Sequence, residues 1–170
     1  MDHYGVRPDI LVFAKGIASG LPLSGIAASK ELMDSQPPGS MGGTYAGNAV
    51  SCAAAVATIG AIESDGMLRN CREMGEQLVE GLEDMREEGL PIAEVRGLGL
   101  MVGCEFAPSA GGIAADVSQA CLKSGLLLLQ AGCHDTVRFL PPLNVSANDV
   151  SKGLQLFEDA VHEVMDVRRV

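Results

Sequence analysis

The chain has 170 residues, 47% of them hydrophobic and 20% charged, with a formal net charge of −10 at pH 7. That length suits one ordinary domain or two small lobes, each able to bury a core. The acidic balance, with no basic stripe carrying interleaved aromatics, argues against nucleic-acid recognition, and no apolar run approaches the roughly 18 residues that span a bilayer.

Five cysteines, at positions 52, 71, 104, 121 and 133, form no CxxC pair and no ladder with histidines. An odd number set in apolar stretches reads as buried reduced thiols, so neither disulfides nor a metal is expected. The opening "MDHYGVRPDI" is polar and turn-rich, unlike a secretory signal. A soluble cytoplasmic chain is the expectation, or a mitochondrial one if a targeting segment precedes Met1.

The Pro8-Asp9 turn leads into an apolar run over residues 10–14, which predicts a strand covered on both faces as in a parallel sheet. Lys15 ends that run, and a glycine-rich loop follows it. Residues 25–28 predict a second short strand, and Ser29 an N-cap for a short helix over 30–34. "SQPPGSMGGTYAGN", residues 35–48, is a loop with two prolines and four glycines. Alanines at 49, 53, 54, 55, 57 and 61 predict a closely packed helix over 49–62. Asp65-Gly66 breaks it.

Residues 67–88 carry Cys71, Met74, Leu78, Leu82 and Met85 at steps of three and four, the stripe of an amphipathic helix. The period then changes to two. Residues 92–95 and 98–106 predict strands with a bend at Gly97 and Gly99. A helix over 113–124 should stop at Gly125, and short strands are expected over 126–129 and 137–140. Ser146 should cap a last helix whose buried stripe is Val150, Leu154, Phe157, Val161 and Val164.

Three places carry chemistry. Lys15 sits where an apolar strand ends, beside Gly16 and Gly20, which would let a cofactor approach the backbone. A desolvated lysine amine is a nucleophile toward carbonyls; the plain alternative is a solvent lysine at an edge strand. In "GGTYAGN" the backbone N–H groups near Gly43 and the Thr44 hydroxyl could face a phosphate at the start of a helix. Otherwise the loop is merely flexible and Asn48 caps the helix. Arg138, inside the strand pattern of "TVRFLPPL", needs an anion: a ligand carboxylate, or a glutamate of the same protein. Cys133-His134-Asp135 is a turn rather than a triad, because adjacent residues in a loop do not converge as a triad must.

In their order and spacing, "PDILVFAKGIASGLPLSG", "GGTYAGN" and "VRFLPPL" resemble the class-III aminotransferases that use pyridoxal 5′-phosphate, the 4-aminobutyrate aminotransferase branch in particular. The similarity extends through "AEVRGLGLMVGCEF" and "GLLLLQAG". It implies an α/β protein, namely the end of the large domain plus the small α+β C-terminal domain of a fold-type-I PLP-dependent transferase. Residues 1–65 would close the cofactor-binding large domain, and residues 66–170 would supply a linking helix and the small domain. The resemblance further implies that Lys15 carries the cofactor and moves the proton. Gly43 and Thr44 would hold its phosphate, with Thr44 reaching across a homodimer interface, and Arg138 would grip a substrate carboxylate. The implied reaction moves an amino group from an ω-amino acid to a 2-oxo acid such as 2-oxoglutarate.

Ala49 stands where the family usually has proline after "YAGN". The family's partner for the pyridine nitrogen, its ring-covering aromatic and its first phosphate loop would lie before Met1, so the isolated chain is expected to be inactive. Two alternatives are a non-catalytic remnant acting through subunit association, and a family aminomutase or racemase.

Overall fold

A computed structural model describes residues 2–40, 42–132 and 134–168. The chain forms two compact units, Met1–Asp65 and Gly66–Val170.

In the first unit, β1 (Ile10–Phe13) and β2 (Gly25–Ala28) pair antiparallel, with Ile10 opposite Ala28 and Phe13 opposite Gly25. The expected parallel strand is therefore corrected to one arm of a hairpin. Its faces are also uncovered among the described residues, with Val12 71% exposed, because the unit supplies no further strand or helix to bury them. The Phe13 ring lies over Gly25, where a Cβ would come within 2.6 Å of its far edge and turn the ring aside. The 3₁₀ turn Lys15–Ala18 follows β1. α1 (Lys30–Asp34) starts at Ser29, whose hydroxyl accepts from Leu32 N at 3.2 Å.

α2 (Ala49–Ser64) starts at Asn48, whose side chain accepts from Ser51 N at 3.0 Å. The 3₁₀ turn packs against it, and among the described residues of this unit Ala18, Ser51 and Ala55 are buried. Small side chains one helical turn apart let the two backbones come close.

The second unit is an antiparallel sheet with three helices on one face. α3 (Met67–Glu87) follows Gly66, which takes the left-handed φ of 65° that the helix entry requires. Then come β3 (Ile92–Leu98), β4 (Met101–Phe106), α4 (Ala114–Lys123), β5 (Leu129–Gln130), β6 (Thr136–Phe139) and α5 (Ala147–Arg168). The strand order is β3-β4-β6-β5. The strand expected over 126–129 is reduced to a two-residue pairing with β6 at Leu129 and Gln130.

Alternation sorts the sheet's two faces. Val102, Cys104, Phe106, Val137 and Phe139 meet Leu78, Leu82 and Met85 of α3, Val117 and Cys121 of α4, and the expected stripe of α5. Phe157 sits at the centre, its ring 5.2 Å from that of Phe139 and 6.2 Å from that of Phe106. Fully burying each such side chain contributes about 1.5–3 kcal/mol. The other face carries Arg96, Gly103, Glu105, Thr136 and Arg138. Among the described cysteines, Cys104 and Cys121 are buried and Cys52 and Cys71 half-buried, all of them free; Cys133 lies outside the described residues.

Candidate active site

Lys15 follows Ala14, whose backbone is still extended, and begins the 3₁₀ turn with a φ of 55°. Ser19 closes the same turn at φ 47°, its N–H donating to Gly16 O at 3.1 Å. Among the described residues these are the two non-glycine positions with positive φ. A Cβ in the left-handed region costs roughly 1–2 kcal/mol. Strain of this kind concentrates where surrounding structure over-determines a functional conformation. Here the packing of the turn on α2 does the holding.

The Lys15 side chain is exposed and takes no hydrogen bond or ion pair among the described residues. Lys30, by contrast, is engaged by Asp34. The desolvation that would activate its amine is absent among the described residues, so within this unit the plain reading holds, an exposed lysine where a strand ends. Lys15, Gly16, Gly20, Leu21, Pro22 and Leu23 line an open cavity of about 390 Å³. A Cβ on Gly16 or Gly20 would meet nothing within 4 Å, so this backbone leaves room for a planar group beside the lysine. These residues fit pyridoxal phosphate at its aldehyde end.

Gly43 and Thr44 belong to the loop that enters α2, and both are exposed. Asn48 caps the helix as the plain reading held, taking Ser51 N. The hydroxyl of Thr44 has no partner among the described residues, which leaves it free for an anion.

Arg138 lies in the second unit, in the inner strand β6, opposite Gly103 of β4 and Leu129 of β5. It is half-buried, and its Nε is enclosed without a hydrogen-bond partner. The glutamate partner weighed for it in the sequence is absent among the described residues. A buried guanidinium donor left unpaired is costly, and a planar carboxylate answers it with two parallel hydrogen bonds.

Beside it, Arg96 of β3 donates to Glu105 at 2.7 Å and to Glu94 at 3.0 Å. Those bonds, the one to Glu105 first, raise the Arg96 pKa above its ordinary value. His134 Nδ1 lies 3.8 Å from the other oxygen of Glu105. No single motif of the sequence marks this network. Its signal was the alternation of β3, β4 and β6, which puts Glu94, Arg96, Glu105 and Arg138 on one face once the register is known.

His134 and Asp135 form the bend before β6, as a turn should. Asp135 nonetheless has a task that the sequence did not suggest. Its carboxylate accepts from Ile113 N at 2.9 Å and Ala114 N at 2.8 Å, capping α4 from outside the helix.

The chain matches the sequence profile of the class-III aminotransferases over residues 1–161. It is 39% identical over 171 residues to the 5-aminovalerate aminotransferase DavT of Pseudomonas putida, covering 96% of this chain and 40% of that protein. It is 34% identical over 171 residues to the 4-aminobutyrate aminotransferase GabT of Escherichia coli K12, with the same coverage. The solved acetylornithine aminotransferase of Elizabethkingia anophelis superposes with a TM-score of 0.86 at 26% identity, over 95% of this chain and 43% of that one. The chain thus spans about 40% of the length of the curated relatives it matches.

Proposed function

The chain belongs to the class-III aminotransferase family, and from that premise we propose that it supplies the lysine and the carboxylate-binding arginine of a pyridoxal-phosphate-dependent transaminase. The amine donor is an ω-amino acid of the 4-aminobutyrate type, and the acceptor is a 2-oxo acid such as 2-oxoglutarate. The observation that carries this is Lys15, an uncountered amine held on a strained turn at the end of β1. The substrate class draws on relatives named for 4-aminobutyrate, 5-aminovalerate and acetylornithine, molecules that share a terminal amine several carbons from a carboxylate.

Pyridoxal phosphate, when bound, supplies an aldehyde that exchanges with amines and a conjugated ring that accepts an electron pair. Lys15 Nζ would hold the cofactor at its aldehyde carbon and, as a free amine, would serve as the general base that takes a proton from the amine-bearing carbon of the substrate and later returns one. Gly43, through its backbone, and Thr44, through its hydroxyl, hold the phosphate. The Arg138 fork takes the substrate carboxylate through parallel hydrogen bonds.

The wider assembly is part of the same proposal. Exposed apolar side chains on β1 and α2, Val12, Val50 and Val56 among them, support a homodimer with further polypeptide on these surfaces. The 40% coverage supports a requirement for residues beyond these 170 in turnover.

The test is borohydride trapping. The chain is mixed with pyridoxal phosphate, reduced, digested and mapped by mass spectrometry. The reduced adduct is expected on Lys15 ahead of Lys30, Lys123 and Lys152, and Lys15→Arg should remove it. Equal labelling of all four lysines would overturn the reading.

A further inference from the structure

Ala110, Gly111 and Gly112 bring three successive carbonyl oxygens to one guanidinium. They form the joint between the 3₁₀ turn Pro108–Ala110 and α4, and both glycines hold left-handed φ values, 76° and 78°. Arg168, at the end of α5, lies 56 residues beyond Gly112. Its Nη1 donates to Ala110 O at 3.1 Å and Gly111 O at 3.0 Å, and its Nη2 to Gly112 O at 3.2 Å and Asp116 Oδ2 at 2.6 Å. The guanidinium is seated closely, since a Cβ on Gly111 would come within 3.4 Å of Nη1.

Three carbonyl oxygens and a carboxylate are a donor set for a cation. The planar fork of a guanidinium reaches all four, whereas an ammonium has three N–H donors and no plane. The site stays open to solvent, with the Arg168 side chain 37% and that of Asp116 57% exposed. The same joint is held from its other side, where Ile113 N and Ala114 N donate to Asp135. Arg168 thus takes the oxygens that lead into α4, and Asp135 takes the N–H groups that begin it. Two consecutive left-handed glycines have wide conformational freedom once nothing holds them.

We propose that residues 110–112 and Asp116 form a guanidinium-binding cup and that its occupant is the chain's own Arg168, which latches the start of α4 to the end of α5. The cup stands apart from the amino-transfer chemistry and does not depend on it. Attraction between exposed charges weakens with salt, so the latch is salt-sensitive. Vacating the cup frees the glycine joint and lets the start of α4 open locally, while β3, at the opposite edge of the sheet from β5, keeps its protection.

Native-state hydrogen exchange by NMR on the full 170-residue chain tests this at Ala110, Gly111 and Val117, whose N–H groups bond the Ala107, Pro108 and Ile113 carbonyls. In Arg168→Ala these amides should exchange about tenfold faster, the low end of what a hydrogen bond to a charged group supplies. Methylguanidinium added to that variant should restore the slow rates, and methylammonium at the same concentration should not. Arg168→Lys, which keeps the charge without the fork, should fall between. It decides the matter if Arg168→Ala opens the β3 amides as well. Unchanged exchange in both variants would overturn the proposal, leaving the four contacts as surface ties. Equal rescue by the two cations would also overturn it, by reducing the cup to a general response to charge.

Discussion

Asp135 caps a helix that begins twenty-one residues before it: its Oδ1 accepts the backbone N–H of Ala114 at 2.8 Å. Its Oδ2 takes Ile113 N at 2.9 Å, and the residue at the helix's own cap position, Ile113, has no side chain able to do so. One carboxylate thus ties the start of α4 to the strand β6 that carries Arg138, and its charge complements the helix N-terminus.

Replacing Asp135 by Ala leaves two helix N–H groups without an acceptor. The expected cost is about 1.5–3 kcal/mol, the range for a hydrogen bond to a charged group. Asp135→Asn keeps one acceptor oxygen and should lose about half as much. Urea unfolding of the two variants gives the comparison, and equal losses would show that the one bond asparagine can keep contributes nothing.

Gly75 and Gly81 both lie in α3, yet they differ in what a methyl group would meet. At Gly75 it would run into the backbone carbonyl of Gly99 in the β3–β4 turn, which is itself held at φ 53°. At Gly81 it would meet the end of the Leu154 side chain, which can turn aside. Gly75→Ala is expected to destabilise by about 1–3 kcal/mol. Gly81→Ala should be near neutral, because alanine gains about 1 kcal/mol of helix propensity against the local repacking. Thermal unfolding should rank them in that order.

Much of this architecture was legible in the sequence, and the failures share a cause. The stripe of α5, the Ser29 cap and the Asp65-Gly66 break are local, set by spacing and by single turn residues. The pairing of β1 is not local. An apolar run such as residues 10–13 fits a doubly covered strand or an exposed hairpin arm equally well, and the partner decides. Arg138 was legible as a cation in need of an anion, but not as unpaired, since that depends on which side chains its neighbouring strands bring to it. Asp135 was hidden in the same way, its partners lying across the chain.

The backbone of Lys15 separates two substitutions that a contact list would treat alike. Glycine removes both the amine and the left-handed strain, whereas alanine removes only the amine. Lys15→Gly should therefore leave the first unit more stable than Lys15→Ala by about 1 kcal/mol. Native-state hydrogen exchange at the β1–β2 amides measures the difference. No difference would mean that the turn holds its shape without strain.

Burial pushes the Cys104 thiol from an ordinary value of 9.0 up to about 12, with a smaller rise from the Glu83 charge. Burial likewise raises Cys121 to about 11. Both are neutral in the folded chain through the range where the unfolded thiols ionise. The unfolded state then binds fewer protons, so stability is complete below pH 9 and falls as pH climbs toward 11 and 12. Unfolding followed from about pH 8 to about pH 10.5 should show this slope, and Cys104→Ala should flatten it while lowering the whole curve. A slope unchanged in that variant would assign the alkaline loss to other groups.

The bare position between the two arginines separates geometry from charge. A methyl placed on Gly103 would meet Thr136 Cγ2 at 3.5 Å and the Arg96 carbonyl at 3.7 Å, which are ordinary contacts. The strand can therefore accept alanine there without moving its neighbours. Alanine at this position is expected to leave the Arg96–Glu105 pair in place, so that the shape of this face changes while its charges do not.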